Sequence, residues 1–492
     1  MAVNSPTRNP GGQSRQALNF GHPLGAIEFW KRLVREALSL STPTPCYVFS
    51  ALPIAERIAE LDQALRAAGF QAEIENSPQR SLGPSLGRKS RIVCRHWLSC
   101  KTQPVAPLLR WWREQGRPIE VVSEFELRAA LAAGFAPQKI LVNGPAKHHW
   151  LTQFAGAPVS EPAHLENPPP QPGAKYHRGG HPSAPMPVQG AGSGTGAPPL
   201  RELAVNFDSP AELAALLPLA KQWNWRCGVR LNTSEEFDPE SPQFPTQFGF
   251  TPAEAVIALK KLRRARARVE TLSFHLRTNV SSAQVYQRAL AEVAEVCRAA
   301  NFAPQVLDLG GGLPVRHVLT RGGKVFDGEF GLRAFAEGLR QSAKAFPSVR
   351  EIWLENGRFV SAGSGVLVMK ILDVKDRRGL RQLICDGGRT LQALTSLWEQ
   401  HKLCSLPART GASVLTAVHG PTCMAFDQLA RLPLPRSLRA GDYLVWSDAG
   451  AYHIPWETRF SHGHAAVWWH DERGLRAARE RQSFLDFWGQ WL

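Results

Sequence analysis

At 492 residues, 43% hydrophobic and 20% charged, the chain can hold one large domain and a smaller one, and its composition is globular. No apolar run approaches the roughly 20 residues of a membrane span, and the opening MAVNSPTRNPGGQSRQ lacks an apolar secretory core, so a cytoplasmic protein with no membrane partner is expected. The net charge of +16 lies largely on arginines scattered among Ala and Leu, as in LKKLRRARARVE. That pattern reads as a solvated helix face, and without zinc-finger spacing, an RNA-binding aromatic signature or a basic tail, no nucleic-acid partner is expected.

In chain order, residues 1–20 are polar with Gly and Pro, and are expected to be disordered. From TPCYVFS onward, short β-branched runs alternate with Ala/Leu-rich helical stretches. IAERIAELDQALRAAGF precedes the strand PIEVVS, EFELRAALAAGF precedes KILVNGP, and LAVNF precedes SPAELAALLPLAKQW. WRCGVRLN, TLSFHLRT, QVLDLGG and IWLENG are further strands, each preceded by a helical stretch. Such repeated strand–helix units predict an α/β fold with a parallel sheet, and their number favours a closed (β/α)8 TIM-type barrel over residues 44–362. Residues 163–200 are Pro/Gly/Ser-rich and interrupt the barrel as a mobile insert. After Gly365 the helices thin out and strands joined by turns predominate, so residues 363–492, with 21–43, are assigned to a second, β-rich domain. The eight cysteines show no CxxC pair and read mostly as reduced, buried filler; no metal-ligand set is read.

Barrel enzymes place their chemistry at the C-terminal ends of the strands. Lys101 in WLSCKTQP, His275 in TLSFHLRTN, Gly310, Gly311 and Gly312 in LDLGGGL, and Glu355 with Arg358 in IWLENGRFV all fall at such ends. Singly, each has an ordinary reading: a surface cap, a core histidine, a bend, a local ion pair. Three adjacent glycines could also leave a floor of bare N–H groups for a phosphate.

Together and in this order the segments SCKTQP, IEVVSEFELRAALAAGF, LVNGPAK, HLRT, DLGGGLP, ENGR, GPTCMAFD and DAGAYHIPWETRF resemble the fold-type III pyridoxal-phosphate decarboxylases of ornithine, lysine, arginine and diaminopimelate. The resemblance implies a pyridoxal 5'-phosphate cofactor bound as a Schiff base to Lys101, which burial and neighbouring charge keep partly neutral. It implies a phosphate floor at Gly310–Gly312, helped by Thr278, Gly357, Arg358 and Tyr452. Glu355 would hold the pyridine nitrogen, His275 would stack on the ring, and Glu120 and Arg230 would lie near the cofactor. Cys423 would be the proton donor, reaching the site of a partner subunit in a head-to-tail homodimer, with Asp427 in the family's acidic position. The implied reaction is decarboxylation of an amino acid or a derivative, the small-molecule substrate.

Several residues depart from the family pattern. Met424 stands where an acidic residue meets the substrate's distal end, and Glu399 falls about where a distal-amine aspartate is kept. Leu394 and Trp398 replace an arginine and a tyrosine that grip a distal carboxylate, which argues against diaminopimelate and for an unusual amino acid. Arg277 replaces a glycine, Gln247 a basic residue, and Asn356 a proline. An amino-acid racemase and a catalytically silent regulatory homologue are the alternatives. The GPTC segment argues against the first and the intact lysine, glycines and cysteine against the second.

Overall fold

The computed structural model describes residues 23–72, 92–154, 200–236, 246–320, 323–392 and 399–491. The expected N-terminal disorder at 1–20 and the insert, except Leu200, lie outside the described residues.

Eight parallel strands close the expected barrel: Val93–Ser99, Ile119–Val121, Ile140–Val142, Ala204–Phe207, Arg226–Leu231, Val269–Phe274, Val306–Asp308 and Glu351–Asn356. The last pairs back onto the first, Glu355 beside Trp97. Strand-to-helix turns are set by hydroxyl caps: Ser50, Ser123 and Ser209 each accept a backbone N–H of the helix they precede, and Thr251 forms a reciprocal capping box with Glu254.

Side chains of a strand alternate between barrel interior and helix layer, and this places the chemistry. Trp97, Leu141, Ala204, Val306 and Trp353 pack as one buried interior layer, with the two indoles 4.5 Å apart. Below it, towards the strands' N-terminal ends, Arg95 and Arg226 pair with Glu351, and Arg226 also with Glu270. Two residues further along four of these strands come Asn143, Asn206, Asp308 and Glu355, all buried. The apolar layer is therefore a plug, and the polar layer above it opens at the C-terminal mouth.

The second domain is the expected β-rich sheet. Gly365–Arg377 runs through its centre, pairing with Tyr443–Trp446 and Cys46–Ser50 in its first half and with Leu380–Cys385 after a bulge between Ile371 and Asp373. Cys46–Ser50, within the span expected for the barrel, thus runs in the second sheet, where it also pairs in parallel with Ala466–Asp471. The helix Pro23–Ser39 covers that sheet, burying Phe29, Trp30, Leu33, Val34 and Ala37 against Cys46, Val48, Val366, Val368 and Ala466. Among the described residues, no helix is long and apolar enough to cross a membrane.

Candidate active site

One cavity at the barrel mouth is lined by Ser99, Lys101, His275, Thr278, the segment Gly310–Leu313, the segment Leu354–Phe359 and Tyr452. Its floor needs glycine. Gly310 and Gly312 have φ of +61° and +97°, in the left-handed region. A Cβ on Gly310 would lie 2.6 Å from Phe274 O and from His275 Nδ1, and one on Gly311 would lie 2.8 Å from Glu355 O. The glycines therefore serve close packing and a bare floor at once. Beside them Arg358 Nε is buried without a hydrogen-bond partner among the described residues. Tyr452, also left-handed at φ +65°, is pinned by its N–H to Thr102 O at 2.7 Å, next to the lysine. A bare glycine floor with an unsatisfied guanidinium N–H fits an anionic phosphate.

Lys101 sits in a single 3-10 turn, Cys100–Thr102, just past the strand end. Its Nζ lies 2.9 and 2.7 Å from the two oxygens of Glu120. The expected partly neutral lysine is not found in this arrangement. Burial works to lower its pKa, but Glu120, Tyr452 and Glu355 outweigh it and hold the ammonium above the ordinary lysine value.

Glu355 is buried, with Asn143 Nδ2 2.5 Å from Oε1 and His275 Nδ1 3.5 Å from Oε2. Burial pushes its pKa up, but His275, Lys101 and Arg230 prevail and bring it down to about 2. Its neighbour Asp308 goes the other way. Burial and the Glu355 charge push Asp308 well above the ordinary carboxylate value, against hydrogen bonds from Gly310 N at 3.1 Å and Asn206 Nδ2 at 2.7 Å. Glu355 is thus favoured in its charged form beside a buried Asp308 whose carboxyl is much harder to ionise. Arg230 lies 3.8 Å from Asp208 and over the Phe248 ring.

Other expected residues lie elsewhere. Glu399, expected near a substrate's distal amine, is instead buried between Arg358 and His401, the latter at 2.8 Å. Its charge is already matched by Arg358, which also lies over the Tyr452 ring. Asp427, expected in the shared site, is 2% exposed and turned into its own turn, accepting from Arg389 N at 2.7 Å and from the Thr422 hydroxyl at 2.5 Å. It clamps the loop that carries Cys423, which is exposed, and half-buried Met424. Leu394 and Trp398 lie outside the described residues, and no group able to hold a metal ion occurs among the described residues.

Two residues passed over by motif reading shape the site. Asn143 Nδ2 lies between Glu355 Oε1 and Glu120 Oε1, the latter at 3.4 Å. Asn356, in the proline position of ENGR, points into the helix layer. Its Nδ2 lies 2.9 Å from His96 Nδ1 and 3.2 Å from Leu354 O, and His96 Nε2 lies 2.7 Å from Asp62. Donation to Leu354 O fixes the amide's orientation, so His96 accepts at Nδ1 and donates from Nε2 to Asp62. This buried chain tethers the turn that carries Glu355 and Arg358.

Residues 200–362 match the family described as "Pyridoxal-dependent decarboxylase, pyridoxal binding domain". The chain is 27% identical over 372 residues to a diaminopimelate decarboxylase of Actinosynnema pretiosum, covering 72% of each chain. It is 23% identical over 419 residues to that of Zymomonas mobilis, covering 83% of each. The crystal structure of diaminopimelate decarboxylase from Helicobacter pylori complexed with L-lysine superposes with a TM-score of 0.67 at 19% identity, over 93% of this chain and 99% of that one. The glycine floor and Glu355 thus fall within the stretch that matches the pyridoxal-binding domain, Lys101 joins them from an earlier strand, and in fold and sequence the chain is similar to the fold-type III pyridoxal-phosphate-dependent amino-acid decarboxylases.

Proposed function

We propose that this enzyme removes the α-carboxylate of an amino acid, with diaminopimelate as the first substrate to test and Lys101 as the covalent anchor of the cofactor. The observation that carries the reading is Lys101 facing Glu355 across a glycine-floored cavity. Pyridoxal phosphate supplies an electron sink for the bond that breaks at the α-carbon. Glu355, buried and with its pKa held low, would accept a hydrogen bond from the ring nitrogen and keep that nitrogen protonated. Gly310–Gly312, Thr278, Gly357, Arg358 and Tyr452 would receive the phosphate, and His275 would cover the ring. Glu120 would orient the lysine amine and, as the carboxylate in contact with Nζ, take up the proton that the ammonium must lose before it reacts.

Diaminopimelate is favoured by the names of the relatives, and the burial of Glu399 by Arg358 and His401 weakens the case for a substrate recognised by Glu399 through a distal amine alone. Leu394 and Trp398 favour a second reading, an amino acid without a distal carboxylate. Two further proposals concern assembly. Cys423 returns a proton to the α-carbon, and it does so in the site of a second copy, so that the homodimer is the active unit. Its exposure on a clamped loop supports this.

Borohydride reduction of the loaded enzyme and peptide mapping should place the pyridoxyl label on Lys101. CO2 release should then be measured with diaminopimelate, lysine, ornithine and arginine. A label on another lysine removes the anchor assignment, and release from none of a broad amino-acid panel removes the reaction.

A further inference from the structure

Asn143 follows the barrel strand Ile140–Val142 and is 7% exposed. Its Nδ2 lies 2.5 Å from Glu355 Oε1 and 3.4 Å from Glu120 Oε1, and Glu120 holds Lys101 at 2.7 Å. One amide therefore connects the carboxylate at the lysine to the carboxylate assigned to the ring nitrogen. Its own place is fixed from several sides. Asn143 N donates to Val121 O at 2.9 Å. Next to it, Gly144 has φ +85°, and a Cβ there would lie 2.9 Å from Val122 O. Lys147, wholly buried, donates to Gly144 O at 2.8 Å and pairs with buried Glu212 at 2.5 Å. A buried ion pair is a costly way to hold a loop unless the loop's position matters.

Two buried carboxylates close to one another tend to share a proton, one of them becoming neutral. An amide nitrogen has two N–H bonds to give and cannot accept, so it offers each carboxylate a hydrogen bond that favours its charged form. A carboxylate in the same place would do the opposite, adding a third negative charge or holding a proton itself.

We propose that Asn143 is a positioning residue for the decarboxylation, a donor-only link that keeps Glu120, at the lysine, and Glu355, on the other side of the amide, both as acceptors, with Lys147–Glu212 as its clamp. The inference rests on the roles given above to Glu355 and Lys101.

The test compares Asn143→Asp, which keeps the shape and loses the donor, with Asn143→Ala. Pyridoxal phosphate affinity is read from the visible absorption band, with kcat, KM and the thermal midpoint alongside. Asn143→Ala should lower kcat by roughly 10- to 100-fold with little change in KM, the size typical of losing a supporting hydrogen bond. Asn143→Asp should be worse than Asn143→Ala in both kcat and cofactor affinity. Where Asn143→Ala does not fold, Asn143→Ser, which keeps an O–H donor, takes its place and should exceed Asn143→Asp. Equal losses, or a near-normal Asn143→Asp, would mean that shape alone matters and would overturn the proposal.

The exchange Asn143→Asp with Glu355→Gln restores the hydrogen bond in the reverse direction. It should recover thermal midpoint and cofactor affinity relative to Asn143→Asp while turnover stays low. A folded double variant that recovers neither overturns the proposal. Near-normal turnover in Glu355→Gln alone would instead remove Glu355 from the chemistry, and the link to Asn143 would still be read from affinity and midpoint.

Discussion

His453, next to the cradle residue Tyr452, is fully buried, with Nδ1 3.1 Å from Ala451 O and its ring 5.5 Å from that of His401. Burial, together with the nearby His401 and Arg358, brings its pKa down to about 3. An unfolded histidine titrates near about 6.5. Between those values the unfolded chain binds a proton that native His453 refuses, so stability should fall as pH drops from about 6.5 towards 3, by up to about 1.4 kcal/mol per pH unit. Urea unfolding at several pH values checks this: His453→Phe should flatten the slope, and an unchanged slope would assign it to other groups. That Lys101, Glu355 and Gly310–Gly312 meet at one cavity was legible in the sequence because each falls at the end of a strand-like run. Asn143 and Asn356 were not, because an amide takes its meaning from partners on distant strands. Glu399 and Asp427 mark a related limit. Their positions could be aligned, but which way a carboxylate turns depends on Arg358, Arg389 and Thr422, which only the fold brings near.

At the level of strands and helices, the barrel could be read from alternation, since period-two strands and capped helices leave local marks such as Ser123, Ser209 and the Thr251–Glu254 box. The division between domains was less legible: Cys46–Ser50 is a short apolar run like any barrel strand, and its pairing with Val366–Val368 and Ala466–His470 has no local signature. The Asp62–His96–Asn356 chain belongs to this scale, because it joins a helix to two adjacent strands. His96→Leu should remove the buried partner of both Asp62 and Asn356, leaving them only Arg66 and Leu354 O, and cost about 1–3 kcal/mol of stability. In a double-mutant cycle with Asn356→Ala, the combined loss should fall short of the sum, as for residues that share one interaction. Additive losses by denaturant unfolding would show the two to be independent.

For the assembled molecule, a shared site makes a sharp prediction. Lys101→Ala and Cys423→Ala are each expected to be inactive, yet mixing them under conditions of subunit exchange should restore up to about a quarter of the activity, because half of the random pairs are mixed and each of these holds one intact site of two. Exchange without recovery would put both residues in one chain's site. The early strand has a further consequence, in the order of events as the chain is made. Ser50 meets His470 across 420 residues of sequence, Oγ to Nδ1 at 3.0 Å. Most of the barrel's strands pair with near neighbours and can form as they emerge, whereas the first strand of the second sheet must wait for Gly365–Val368 on one edge and, longer still, for Ala466–His470 on the other. Long-range closure of that kind is slow and leaves an apolar edge open to wrong partners. The helix Pro23–Ser39, made before that strand and carrying Phe29, Trp30 and Leu33, packs on Cys46 and Val48 in the finished sheet and is placed to shield them during that wait.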